Sequence, residues 1–412
     1  MEQQQMEVRK QRGMEIAKTS RIVKNEKGQW KVPSQSGGGH YIVISNGFGA
    51  ECNCPDHELR NCKCKHIWAV EFIVTKQIDN EGNITITQTV RKTYSQDWKN
   101  YNIAQQKEKE IFMKLLADLT SRINNKTYEF GRPSNNIGDT IYSMVFKVYS
   151  TFSGRRFSTD LKIAKENGFA EQKIPYNSMF RYFQKKEVTP LLANIVAITS
   201  LPLRSVETKF AIDSTGFGTS NFQRWYSFKH GKEISSRRWV KCHFMTGVKT
   251  NTITSVSITS EFDNDSPELK ALVNETAENF KMEEISADKA YLGQDNLELI
   301  ESKGATPFIP FKSNNKPSGN GMIWKKMFYY FQLNNEQFLE HYHSRSNAET
   351  SVHMIKSKFG DSVRSKTWTA QVNEVLCKVI CHNICVVIQE MHELGINPNF
   401  CPISRQSAPI VG

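Results

Sequence analysis

Phe210-Ala-Ile-Asp213-Ser-Thr-Gly-Phe-Gly218 opens on three apolar residues, meets one carboxylate and runs out between two glycines. That order reads as a buried strand that ends in a turn, with Asp213 where the strand stops. Working downstream, Val240–Val248 and Thr252–Thr259 are β-rich runs separated by Lys-Thr-Asn, a hairpin pattern. A helix over 266–280 follows, then a short strand ending near Asp288 in Ile285-Ser-Ala-Asp-Lys-Ala-Tyr291. Next come a helix near Leu297, a strand Thr306–Phe311 and one long helix carrying Glu349. Three strands, a helix, then strand, helix, strand, helix predicts an α/β domain with a mixed sheet.

Working upstream, the chain divides at its polar and glycine-rich stretches. Residues 1–39 read as a basic, flexible lead, with eight Lys or Arg against four Glu up to Lys31, ending in Ser34-Gln-Ser-Gly-Gly-Gly39. Residues 40–91 form a small cysteine-bearing module: a strand from Tyr41, the cysteines, an apolar helix over Ile67–Val74 and a strand Ile84-Thr-Ile-Thr. Residues 92–130 are a helical linker and 131–205 a helical region suited to DNA. Residues 206–395 are the α/β domain and 396–412 a C-terminal tail.

The 412 residues carry 54 Lys and Arg against 42 Asp and Glu, a formal charge of +12 that suits a polyanionic partner. A membrane partner is not expected. The longest apolar run, Val375–Ile388, is 14 residues and contains Lys378, His382 and Asn383, whereas a span needs about 20. The N-terminal sequence lacks an apolar signal core, so a cytoplasmic, nucleoid-associated protein is expected. Its nine cysteines then read as thiols or metal ligands.

Cys52-Asn-Cys54 and Cys64-Lys-His66 place three thiols and an imidazole within 15 residues, a tetrahedral zinc donor set with no open position for catalysis. Cys62 and His57 lie close enough in sequence to replace one ligand. Ile67, Ala69, Val70, Phe72 and Ile73 would cover the site. Cys377, Cys381 and Cys385 recur every four residues in an apolar helix and read as buried small side chains.

Of the carboxylates, Glu349 has the most telling surroundings. On a single helix Tyr342, Arg345, Glu349 and Lys356 fall inside an arc of about 60°, beside an apolar stripe of Ala348, Val352, Ile355 and Phe359. A carboxylate flanked by cations and a phenol serves metal and phosphate. The plainer alternative is a surface Arg345–Glu349 pair worth about 0.2–0.5 kcal/mol.

The spacing of Tyr342, Arg345, Glu349 and Lys356 resembles the tyrosine-arginine-glutamate-lysine signature of DDE-type insertion-sequence transposases. Asp213-Ser-Thr-Gly-Phe and Ala287-Asp288-Lys-Ala-Tyr resemble the first and second Asp blocks of the same class. The cysteine module resembles a SWIM-type zinc finger. These resemblances imply a ribonuclease-H-like catalytic domain with a mixed sheet, preceded by a helical region and a small structural zinc module. They imply catalytic Asp213, Asp288 and Glu349 holding two Mg²⁺ or Mn²⁺ ions, with Zn²⁺ on Cys52, Cys54, Cys64 and His66. Arg345 and Lys356 would then hold DNA phosphates, with Tyr342 stacking or hydrogen-bonding beside them.

The stretch Gln223–Lys241 adds six cations against one Glu, interleaved with aromatics, so Arg224, Trp225, Arg237 and Arg238 are further DNA-binding candidates. The expected partners are transposon ends and target DNA, with a homodimer on DNA. A domesticated, non-catalytic DNA-binding protein and a nuclease that hydrolyses without joining are the alternatives.

Overall fold

Trp30, Val32 and Val43 alternate with more exposed neighbours along two short strands, and that alternation builds the first of two units in the computed structural model, Met1–Ser95 and Gln96–Gly412. The structure describes residues 2–20, 22–25, 28–35, 39–46, 49–60, 62–78, 84–88, 97–123, 134–219, 229, 239–317, 321–398 and 400.

In the first unit helix α1 (Glu2–Thr19) precedes an antiparallel sheet of β1 (Val23–Lys24), β2 (Trp30–Pro33), β3 (His40–Asn46) and β4 (Gly49–Cys52), paired in that order. Helices α2 (Pro55–Arg60) and α3 (Lys65–Ile73) follow, then the hairpin β5 (Val74–Ile78) and β6 (Ile84–Gln88). Residues 1–39 therefore hold a helix and two strands where a flexible lead was expected. Their apolar residues account for the difference, since Ile16, Trp30 and Val32 share a core with Val43, Ile67, Ala69 and Val70. Arg9 of α1 donates two hydrogen bonds to Asp56 of α2, at 2.9 and 3.2 Å.

Gly13 is where α1 meets α3. A Cβ there would lie 2.5 Å from Trp68 Cβ and 2.8 Å from the Lys65 carbonyl oxygen. Gly13→Ala gains about 1 kcal/mol of helix propensity, but a clash against backbone forces the helices apart at about 1–3 kcal/mol. The clash should win: the melting transition of the first unit is expected to fall in calorimetry of the full chain, and an unchanged or raised midpoint would contradict the close approach.

In the second unit, α4 (Trp98–Ser121), α5 (Ile137–Ser150), α6 (Gly154–Glu166), α7 (Tyr176–Phe183) and α8 (Val188–Ser200) lead to β7 (Lys209–Gly218), β8 (Trp239–Gly247) and β9 (Ile253–Ser260). Then come α9 (Glu268–Ala277), β10 (Glu284–Ala287), α10 (Gln294–Ser302), β11 (Thr306–Phe308), α11 (Met322–Leu333), α12 (Asn335–Tyr342), α13 (Ser346–Phe359) and α14 (Trp368–Glu393). The sheet order is β11-β10-β7-β8-β9. β7, β8 and β9 are antiparallel neighbours, and β10 runs parallel to both β7 and β11. The expected mixed α/β sheet is present.

Each face of this sheet carries its own core. Phe210, Ile212 and Met245 pack with α9, α10, α11 and α12. Phe217, Val240, Cys242 and Phe244 pack on the other side with α4, α5, α8, α13 and α14. The helices before residue 205 are thus part of the sheet's own core. Asn383 of α14 fixes this, accepting from Ile253 N–H of β9 at 2.8 Å and donating to Ile253 O at 2.7 Å and Thr199 Oγ1 of α8 at 3.0 Å. α14 is long and apolar enough to cross a membrane by length and composition, yet here it is the buried centre of the helical layer, and Cys377 and Cys381 are core side chains within it.

Candidate active site and metal centre

β7 does not stop at Asp213. Its pairing with β8 continues through Asp213↔Phe244 to Gly218↔Trp239, so Asp213 stands in mid-strand. Gly216 is a strand residue beneath an indole: a Cβ on it would come 2.8 Å from Trp239 Cδ1. Gly216, read as part of a turn, serves instead to let Trp239 lie on the strand.

The parallel register ends by pairing Ala287 with Ile212, so Asp288 and Asp213 each follow the last paired residue of their strand, close enough for the Asp288 charge to act on Asp213. Asp288 is exposed, and its side chain caps the short 3-10 turn Lys289–Tyr291 by accepting from Lys289 N–H. Glu349 arrives from the first turn of α13. Arg345 joins the set: its guanidinium lies 3.3 Å from Asp213 Oδ1 and 2.6 Å from Glu349 Oε1. The Arg345 and Asp213 side chains are 20% and 18% exposed, so this is a half-sheltered pair, while Glu349 at 57% faces solvent.

Three carboxylates and one guanidinium leave the cluster short of positive charge. Burial pushes the Asp213 carboxyl above its ordinary range; Arg345 pulls it back, and the charges of Glu349 and Asp288 push it up again. Burial works against the Arg345 cation, but Asp213, Tyr342, Glu349 and Asp288 outweigh it and hold the guanidinium more firmly protonated than usual. Hard carboxylate oxygens are the donor chemistry a divalent cation takes, but here Arg345 stands between Asp213 and Glu349, and the three carboxylates are not gathered within ligand reach of one another as the four donors of the first unit are.

The single long helix expected to carry Tyr342 to Lys356 is broken. Tyr342 ends α12, a 3-10 turn spans His343–Arg345, and α13 starts at Ser346. Arg345, Glu349 and Lys356 still share one face, whereas Tyr342 reaches it through the turn, with Arg345 over its ring at 5.9 Å. Lys356 Nζ donates to Thr215 Oγ1 of β7 at 2.6 Å and sits 5.5 Å from the Phe217 ring centre. Arg224, Trp225, Arg237 and Arg238 lie outside the described residues.

A polar network on the opposite face of β7 was not anticipated. His243, paired with Ser214, meets Tyr291 Oη at 3.0 Å and Thr259 Oγ1 at 3.0 Å, and Lys241 pairs with Asp265 at 2.5 Å. Tyr291 belongs to the turn capped by Asp288, so the network braces that carboxylate from behind. Burial pulls the His243 imidazole down, chiefly keeping it neutral. A lone histidine in a β-rich run gives no sequence signal of such a role.

In the first unit Cys52, Cys54, Cys64 and His66 bring their ligand atoms within 4.8 Å of one another, all four residues buried. Cys52 ends β4, Cys54 precedes α2, and Cys64 and His66 flank the start of α3. Asn53 makes the Cys-x-Cys turn part of the ladder: its Oδ1 accepts from Ile42 N–H at 2.7 Å and its own N–H donates to Ile42 O at 3.2 Å. His66 Nδ1 is 3.8 Å from Cys52 Sγ and 3.9 Å from Cys64 Sγ. A zinc tetrahedron with arms of about 2.3 Å has edges of about 3.8 Å, so the donors fit that ion. A hydrogen bond from Cys52 pulls the Cys64 thiol down, burial opposes it, and His66 and the Ile67 N–H at the start of α3 add to the pull; the Cys52 thiol is pushed up. His57 and Cys62 are engaged elsewhere, His57 Nδ1 with Cys62 O at 2.8 Å and Cys62 Sγ with Asp56 O at 3.5 Å.

Residues 204–384 match the family described as transposase DDE domain, a stretch that includes Asp213, Asp288, Glu349, helices α9 to α13 and the first part of α14. The match supports a DDE-type transposase. A solved structure, a piggyBac transposase synaptic complex with hairpin DNA, is 12% identical over 76% of this chain and 79% of that one, with a TM-score of 0.35. At that score no residue role is carried across.

Proposed function

We propose that the chain is a DNA transposase of insertion-sequence type, which cleaves phosphodiester bonds at element ends and joins the 3′-OH ends to target DNA. The observation that carries this reading is the register that sets Asp288 beside Asp213, with Arg345 tying Asp213 to Glu349, inside the stretch similar to a transposase DDE domain. The strand order β9-β8-β7-β10-β11, with three antiparallel strands and two parallel additions, supports a ribonuclease-H-like domain. Two Mg²⁺ or Mn²⁺ ions held by Asp213, Asp288 and Glu349 would supply an activated water or 3′-hydroxyl and neutralise charge on the leaving oxygen.

The chain's own residues do the placing. Asp213 is set by the ladder with β8, and Asp288 by the turn it caps. Arg345 keeps Glu349 turned toward Asp213, and Lys356, steadied by Thr215, offers a cation to a DNA phosphate beside the carboxylates. Arg224, Trp225, Arg237 and Arg238 are assigned to the DNA backbone and an unpaired base. Zn²⁺ on Cys52, Cys54, Cys64 and His66 gives the first unit its structural centre, a SWIM-type finger. Two element ends call for two such sites, hence a homodimer on DNA.

The test is a supercoiled plasmid carrying the gene's own flanking DNA, incubated with Mg²⁺ or Mn²⁺ and wild type or Asp288→Ala. Joined-end products that vanish in the variant are expected. Linear products without joining would favour a nuclease, and binding without nicking a non-catalytic DNA-binding protein.

A further inference from the structure

The C-terminal end of α5 and the N-terminal ends of α6 and α14 meet around a cavity of about 420 Å³, a volume suited to a small ligand. It shares no lining residue with the carboxylate site. Four cations, Lys147, Arg364, Lys366 and Lys378, line it against one acid, Glu374. Two of these charges are already spoken for. Lys378, only 2% exposed, donates to the carbonyls of Phe359, Gly360 and Ser362 at 2.9, 2.7 and 2.9 Å, closing the end of α13. Glu374 accepts from the backbone N–H groups of Arg364 and Ser365.

Lys147 is different. It is 8% exposed on α5, and among the described residues no hydrogen bond or ion pair reaches its ammonium. Burial pulls it down to about 8, the neighbouring Arg364 guanidinium adds to the pull, and Glu374 offsets only part. A lysine whose stem is buried and whose ammonium has no partner is held at a cost that a methionine filling the same space would not carry. Two long helices also begin at this cavity. α6 starts at Gly154 behind Ser153 and α14 at Trp368 behind Thr367, neither with a side-chain cap on its first N–H groups. Helix starts and a lysine only partly compensated by Glu374, meeting at one cavity, favour an anion.

We propose that this cavity binds a phosphate group, with Lys147 and Arg364 as its countercharges. Phosphate has two sources here, a small phosphorylated molecule or the DNA backbone, and the assignment stands whether or not the carboxylates cleave DNA. Full-length protein would be titrated by calorimetry with inorganic phosphate, with dAMP and with a short 5′-phosphorylated duplex, comparing wild type, Lys147→Met and Arg364→Gln. Lys147→Met should fold with an unchanged or higher melting temperature, since it removes a desolvated charge. It should weaken binding by at least about tenfold, the worth of one charged hydrogen bond, and Arg364→Gln should weaken it in the same direction. Lys147-dependent binding of phosphate or dAMP assigns the cavity to a small ligand; dependence seen with the duplex alone assigns it to DNA. Equal affinities in wild type and Lys147→Met for all three probes, or no binding of any, overturn the proposal. Should Lys147→Met not fold, Arg364→Gln, on an exposed side chain, decides by the same criterion.

Discussion

Asp213→Asn is expected to abolish metal-dependent cleavage and joining while leaving the protein as stable as wild type or more so. The loss should be at least a thousandfold, about 4 kcal/mol of barrier, because one of the three carboxylates proposed to hold the ions would keep its shape and lose its charge. The stability half follows from the site's electrostatics. Burial raises the Asp213 carboxyl above its ordinary range, Arg345 offsets part, and Glu349 and Asp288 add to the rise. A folded value above the unfolded one contributes stability that is complete below the unfolded value and is lost as pH rises through the folded value. At neutral pH the ionised carboxylate is therefore a cost, which Asn removes. Mn²⁺ supplies the missing charge differently: at a concentration a hundred times its dissociation constant it should stabilise wild type by about 2.7 kcal/mol, with the shift lost in Asp213→Asn. Melting curves with and without Mn²⁺ at one pH check both statements. A variant that melts well below wild type would make any loss of activity uninformative and would contradict the charge argument. Retained cleavage by a well-folded variant would remove Asp213 from the chemistry.

What the sequence made legible here is what local spacing encodes. An apolar run into an acid marks a strand that delivers a carboxylate, and two such runs produced β7 and β10. Cys-x-Cys and Cys-x-His on either side of a short gap marked the four residues that meet at one point. The failures are non-local. Gly216 and Gly218 look like a turn until β8 pairs with them, because the indole that needs Gly216 bare comes from Trp239. Nothing in His343-Ser-Arg breaks a helix by propensity. The turn there goes with contacts from β10 and β11: His341 stacks on Phe308 with centroids 4.5 Å apart and meets Glu284 at 2.9 Å, and Ser344 meets Ser286 at 3.2 Å. The boundary drawn near residue 205 dissolves for the same reason, since α14, far along the chain, completes the core that α4, α5 and α8 begin. Lys147 reads in the sequence as part of a solvated helix face and Lys378 as a break in an apolar run, and only the packing of other helices makes both of them interior.

Removing zinc should have the largest effect on stability, and should confine it to Met1–Ser95. This unit's core is small, and four of its buried side chains are the metal donors themselves. Without the ion those donors are three close thiols and an imidazole whose Nε2 is buried with no hydrogen-bond partner, so the fold would lose its centre and keep its polar costs. Structural zinc in small fingers contributes on the order of 10–16 kcal/mol, more than a core of this size supplies. The protein is expected to carry one zinc per chain by elemental analysis. A strong chelator should erase the near-ultraviolet signal of Trp30 and Trp68 and open α1 to protease, while the melting of Gln96–Gly412 stays in place. Cys64→Ser should reproduce the chelated state; Cys62→Ser should not, because Cys62 faces the Asp56 carbonyl and stands outside the four donors. That contrast separates metal loss from a general intolerance of cysteine substitution. If Cys62→Ser lost zinc as completely as Cys64→Ser, the donor set would have to be redrawn around Cys62. If the chelated chain kept its first-unit fold, the cluster would be a group of reduced thiols held by packing alone.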